Sequence, residues 1–273
     1  MISIVTDSAS MIPPRVRDRL GVEVVPLTVT VDGVDYRDGV DLDPDDFYDR
    51  LAAGAAVTTA APPPGAFLAA YQRAEHAGAT AVLSIHTGGA YSATAAAANV
   101  AGKLTELPVT VVDTGMASFP VALCTWAAAN ALAAGAPIDD AAAAARETAA
   151  QTESVFVVGV PARAHGGGRF QALGESLAPT SILSLDRDGL REIDRVDDLD
   201  AAMDTIAAHV EAVAAQQTIC AGIGDARRPH LSDTLAQRLT AADGVAELVR
   251  YDVGPSVGAH IGEGSVGVVY TPW

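Results

Sequence analysis

Apolar and polar positions follow one rhythm up to about residue 153 and another beyond it. In the first stretch, apolar runs at 2–5, 81–86 and 109–112 each break into a polar or glycine-rich loop, and helical, mostly alanine-rich segments are expected at 95–104, 121–136 and 139–152. Short apolar runs bounded by turn residues predict buried strands. Strand, loop and helix in succession predict a parallel sheet with helices packed on it. Residues 22–31 alternate, turn at Asp32-Gly33 and resume at 34–36, the pattern of a hairpin or an extended arm. The acidic run 41–46 precedes Phe47, Tyr48 and Leu51, which places negative charge at a helix N-terminus. Residues 57–64 predict a proline-stiffened loop with the Thr59 hydroxyl exposed, and 65–77 a helix.

Beyond residue 153, short strands at 155–160, 181–185, 190–193, 218–223, 246–251 and 264–270 mix with helices at 198–215 and 230–242. The expectation is an α/β chain of two domains: an N-terminal parallel-sheet α/β domain over 1–152 and a C-terminal α+β domain over 153–273, with a ligand at their interface.

Composition narrows the function. The 273 residues are enough to enclose a ligand cavity within a full core. A net charge of −17 repels nucleic acid and anionic membrane surfaces at long range. Cys124 and Cys220 lie far apart and outside any CxxC pair, so neither a disulfide framework nor a zinc site is expected. The first ten residues show no basic start followed by an apolar core, and no run reaches the roughly 18 apolar residues of a membrane span. A cytoplasmic protein without membrane insertion is expected. Lys103 is the only lysine and follows no glycine-rich loop, which removes a P-loop and leaves Schiff-base chemistry on one poorly placed residue. No cofactor or metal is expected.

Candidate chemistry collects in the loops. Thr6-Asp7-Ser8 ends the first apolar run, where open α/β sheets place ligands, although these hydroxyls can equally cap the helix that begins at Pro13-Pro14. Thr87-Gly88-Gly89-Ala90-Tyr91-Ser92-Ala93-Thr94 lies between a strand and a helix, a layout that aims backbone N–H groups at an anion. Asp113 to Ser118 repeats it. Gly166-Gly167-Gly168-Arg169 reads either as a basic turn or as an anion clamp with Arg169 as its fork. Near the chain end, Gly254-Pro255-Ser256-Val257-Gly258 fits a nucleophile elbow but lacks the acid and histidine that should follow at a distance. Gly262 to Gly267 fits a dinucleotide fingerprint but ends too near Trp273 to supply the ribose-binding acid. What survives is His260 among glycines, a structural position or a ligand contact. Hydroxyls with one arginine and one histidine suit a small anionic oxygen cluster.

In order along the chain, these motifs resemble the DegV family. Thr6-Asp7-Ser8, Pro26-Leu27, Tyr36-Arg37-Asp38, Thr59, Ser92-Ala93-Thr94 and Val112-Asp113-Thr114 with Ser118 carry the resemblance, followed by Gly167-Gly168-Arg169-Phe170 and His260-Ile261-Gly262-Glu263-Gly264. It implies a two-domain fold that buries a long-chain fatty acid, with Thr59, Ser92, Arg169 and His260 ligating the carboxylate and Ser8, Thr94 and Ser118 beside them. It also implies no catalytic residue of the chain's own and an ATP-dependent fatty acid kinase subunit as partner, which converts the carboxylate to acyl phosphate. The chain departs from the family pattern at Gly88-Gly89, Ala60-Ala61, Ala93, Thr180-Ser181 and Glu263. Three other readings are a binding module for a different lipid or small anion, a serine hydrolase using Ser256 or Ser92 with His260, and a purely structural partner protein.

Overall fold

The structure, a computed structural model, describes residues 1–159 and 180–273. The glycine-arginine segment that ends at Arg169 lies outside the described residues. Two compact units emerge, Met1–Ala149 and Ala150–Trp273.

The first unit runs β1 (Ile2–Asp7), α1 (Pro14–Leu20), β2 (Val22–Val25), β3 (Thr28–Val31), β4 (Val34–Arg37), α2 (Pro44–Ala52), β5 (Val57–Ala60), α3 (Pro64–His76), β6 (Ala81–His86), α4 (Thr94–Gly102), β7 (Val109–Asp113), α5 (Phe119–Ala133) and α6 (Ile138–Gln151), whose last residues pass into the second unit. Four strands form a parallel sheet in the order β2-β1-β6-β7. The two-residue period of a strand sorts its side chains between two cores. Ile4, Leu83, Ile85 and Val112 point into one with α5 and α6, while Val5 and Val82 point into the other with Phe67, Ala70 and Tyr71 of α3 and Ala98 and Ala101 of α4. Helix α5 is apolar nearly all round and accordingly buried, with Val121, Leu123, Cys124 and Ala128 at or near zero exposure.

The other three strands form a small antiparallel sheet in the order β4-β3-β5. Asp32 and Gly33 both take positive φ, 49° and 81°, the two-residue turn whose twist matches the flanking strands of a hairpin. Asp43 caps α2 by accepting from the amides of Asp45 and Asp46. One expectation fails here. Residues 57–60 are the strand β5, paired with β3 so that Thr59 lies opposite Val29, rather than the start of a loop. The prolines that argued for a loop begin only at Pro62, after the pairing has ended.

The second unit runs β8 (Glu153–Val157), β9 (Ser181–Asp186), β10 (Gly189–Arg195), α7 (Leu199–Ala214), β11 (Ile219–Asp225), α8 (Pro229–Thr240), β12 (Val245–Asp252), α9 (Pro255–Ile261) and β13 (Val266–Pro272). Its six-stranded sheet, ordered β10-β9-β8-β13-β11-β12, is antiparallel except where β11 meets β12. Helices α7 and α8 lay Met203, Ile206, Val210, Leu231 and Leu235 on one face, against Val155, Ile219, Ala221 and Val268. The chain is thus mixed α/β, with a parallel N-terminal sheet and a mostly antiparallel C-terminal one. At the glycine-rich end, Pro255–Ile261 is a short helix started by proline at its first turn, and His260 sits in its last turn.

Candidate ligand site

Parallel pairing sends the loops that follow β1, β6 and β7 off one edge of the first sheet, and those strands are neighbours. Ser8 follows β1, Ser92 and Thr94 follow β6, and Ser118 follows β7, so four of the predicted residues share that edge. Thr59 belongs to the same unit but lies on β5 of the small sheet, half-buried. His260 belongs to the second unit and is half-buried. Arg169 lies outside the described residues.

The hydroxyls have different employment. Thr6 is fully buried and donates to the Ile85 carbonyl at 2.8 Å, which stitches β1 to β6 and removes it from any ligand role. Ser8 does not cap α1; its Oγ accepts the Leu27 amide at 3.0 Å and keeps its proton to donate elsewhere. Ser92 and Thr94 form a hydroxyl pair 2.7 Å apart at the start of α4, Thr94 buried and Ser92 half-buried. Ser118 precedes α5 at φ 65°, ψ −151°, a conformation natural to glycine that costs other residues about 1–3 kcal/mol, and its side chain makes no capping bond.

The first amides of the glycine-rich loop are held by the protein itself. Asp7, fully buried, accepts the Thr87 amide and the Thr87 hydroxyl, each at 3.0 Å. The Gly88 amide donates to the Met116 carbonyl at 2.7 Å. Both oxygens of Asp113 accept the Gly89 amide, at 3.1 and 3.2 Å. The protein's own acceptors therefore take the amides of Thr87, Gly88 and Gly89 at the start of the loop. At Gly88 a side chain is sterically excluded, since a Cβ there would lie 2.5 Å from the backbone of Gly115. Further along, the loop carries the Ser92 and Thr94 hydroxyls.

Beneath it runs a polar chain that the sequence reading missed. His86 is fully buried at the end of β6, its Nδ1 3.0 Å from Asp7 Oδ2 and its Nε2 2.6 Å from Ser84 Oγ. Tyr71 reaches the same Ser84 Oγ at 2.9 Å. In the neutral imidazole, Nδ1 donates to Asp7, Ser84 donates to Nε2, and Tyr71 donates to Ser84, so every hydrogen has an acceptor. Burial pushes the Tyr71 phenol up to about 12, which keeps it a donor. The available signal was Ser84 and His86 two apart in an apolar strand, hence on one face.

In the second unit, Ser256 is buried within α9, poorly placed for a surface nucleophile, and Glu263 lies 3.9 Å from Arg227. Glu153 opens β8 and accepts from Ser184 Oγ at 2.6 Å and from the Tyr270 hydroxyl. The His209 imidazole beside it, together with these hydroxyls, holds its carboxyl down to about 2 against the opposing effect of burial. Among the described residues, no group of His, Cys, Asp or Glu is placed to hold a metal ion, and no helix is long and apolar enough to cross a membrane.

Fold and loops together define a two-unit α/β protein with hydroxyl-bearing loops on one edge of a parallel sheet. The family model described as "Uncharacterised protein, DegV family" matches residues 1–272, and the chain belongs to the DegV family. A DegV domain-containing protein of Streptomyces coelicolor is 34% identical over 277 residues, covering 98% of this chain and 97% of the relative. Among solved structures, one described as fatty acid binding of a DegV family protein from Thermus thermophilus shares 30% identity at a TM-score of 0.90, covering 100% of this chain and 99% of the other. DegV of Bacillus subtilis, described as a fatty acid binding protein, is similar in fold at a TM-score of 0.90 and 24% identity, covering 100% and 99% of the two chains.

Proposed function

We propose that this protein is a cytoplasmic fatty acid carrier whose Thr59, Ser92, Arg169 and His260 ligate the carboxylate, with Ser8, Thr94 and Ser118 as supporting hydroxyls. The observation that carries the reading is the end-to-end likeness to the Thermus thermophilus fatty acid-binding protein, joined to the Ser92–Thr94 hydroxyl pair. Hydroxyls with one fixed cation suit a carboxylate, since arginine grips it bidentately and hydroxyls satisfy its remaining lone pairs. Each methylene of the acyl chain contributes about 0.8 kcal/mol on burial, so a long chain binds tightly without catalytic machinery.

The carrier presents its carboxylate to a separate ATP-dependent kinase. A carboxylate oxygen forms a bond to the γ-phosphorus of ATP, the bond from that phosphorus to ADP breaks, and acyl phosphate results. The absence of a P-loop lysine motif from this chain supports a nucleotide held by another protein.

Purified protein, extracted into organic solvent and analysed by mass spectrometry, is expected to release a long-chain fatty acid. Arg169→Ala is expected to weaken fatty acid binding by about 2 kcal/mol or more in a titration. Protein that neither carries nor binds a fatty acid would defeat the proposal, and recovery of a different lipid or a compact anion would redirect it.

A further inference from the structure

We infer that Asp113 is a positioning residue for the ligand's head group: through two backbone amides it locks the loop that carries Ser92 and Thr94, and so governs how the site separates a free carboxylate from an ester. The inference rests on the fatty acid reading above.

Asp113 is the last residue of β7 and stands in register with His86, the last of β6, so the loops that follow these strands begin side by side. Asp113 Oδ1 accepts the Gly115 amide of its own loop at 2.9 Å, while both its oxygens take the Gly89 amide of the other. One carboxylate thereby ties two loops together through charge-assisted bonds. The tie is reinforced where Gly88 donates to Met116 and where the Thr114 hydroxyl donates to the His86 carbonyl at 2.8 Å.

The lock reaches the hydroxyl pair in two short steps. The amides of Tyr91 and Ser92 both donate to the Gly88 carbonyl, at 2.9 and 3.0 Å, and Ser92 Oγ meets Thr94 Oγ1. Ser92 is thus placed relative to Gly88, and Gly88 relative to the loop that Asp113 holds. Asp7 grips the same segment two residues earlier, at Thr87, but Asp7 is buried in the unit's interior, whereas Asp113 is exposed and contributes little to the core. An exposed acid whose hydrogen bonds run to loop amides acts on the shape of the loop, the kind of support that binding geometry requires.

The test compares wild type, Asp113→Ala and Asp113→Asn as the full chain, with palmitate and methyl palmitate as probes. Asp113→Ala is expected to weaken palmitate roughly tenfold, the size of one hydrogen bond to a charged group, while leaving methyl palmitate unchanged. Asp113→Asn keeps a carbonyl oxygen for the amides and is expected to restore most of the loss. Amide hydrogen exchange at Gly89 and Gly115 is expected to speed up in Asp113→Ala without any ligand. Unchanged palmitate affinity, an equal loss for acid and ester, or unchanged exchange at Gly89 overturns the inference. Wild-type protein that binds neither compound overturns the fatty acid reading itself, a result seen before any variant is made.

Discussion

Asp7 closes the first strand of one unit and Glu153 opens the first strand of the other, and their surroundings differ in kind. Asp7 takes the amide and hydroxyl of Thr87 and the ring of His86, groups at the root of a loop. Glu153 takes the hydroxyls of Ser184 and Tyr270, with Arg191 at 3.5 Å and His209 at 3.7 Å, groups spread over three strands and a helix. The first acid gives shape to a segment that has no regular pairing of its own. The second fastens together elements that are already paired. An acid bonded at the root of a loop sets the loop's shape, and an acid bonded to side chains across a sheet fastens the sheet and its helix.

Three substitutions probe that contrast. The largest effect is expected from Asp7→Ala, which leaves His86 and the Thr87 amide buried without their acceptor and should cost about 3 kcal/mol or more. Denaturant unfolding followed by Trp126, which is buried in α5 of the same unit, would read the loss; a change below about 1 kcal/mol would show that the network is not needed to hold the loop root.

Glu153→Gln comes next, at about 1–2 kcal/mol near neutral pH, and carries a pH signature. The folded carboxyl titrates at about 2 against an ordinary 4.5, so its contribution is complete above about 4.5 and is lost as the pH falls toward about 2. Stability of the second unit should decline over that window in the wild type, and less steeply in Glu153→Gln. Equal acid sensitivity in both proteins would remove Glu153 from the account.

The smallest effect is expected from Arg238→Ala. Arg238 bridges Glu211 and Asp204 between α7 and α8, yet Asp204 is exposed and the other two side chains are partly open to solvent and screening, so the cost should stay below about 1 kcal/mol and shrink with salt. A larger, salt-independent loss would mean that these helices depend on the bridge.

Much of the fold was legible because local chemistry and burial agreed. The apolar runs of β1, β6 and β7, the Asp32-Gly33 turn and the all-apolar α5 each carry a signal that needs no distant partner. Thr59 was misplaced because strand β5 exists only through its pairing with β3, and four residues beside a proline run carry no signal of that pairing. The helix bearing His260 was hidden by glycines on both sides, although Pro255 was a start signal. At the candidate site, Ser92 and Thr94 were legible as residues, but that Asp7, Met116 and Asp113 already hold the loop amides was not, because it depends on residues 80, 28 and 24 positions away in the chain.

By itself, the sequence determined the strand-loop-helix order, the change of texture near the middle of the chain, and the set of hydroxyls on which a head group could rest. Only the tertiary structure decided which of those hydroxyls are free. Thr6 was spent on Ile85 and Ser8 accepted Leu27. The physical reason is that a buried polar group must find its partner wherever the fold brings one, and in a parallel sheet that partner comes from another strand or loop, far along the chain.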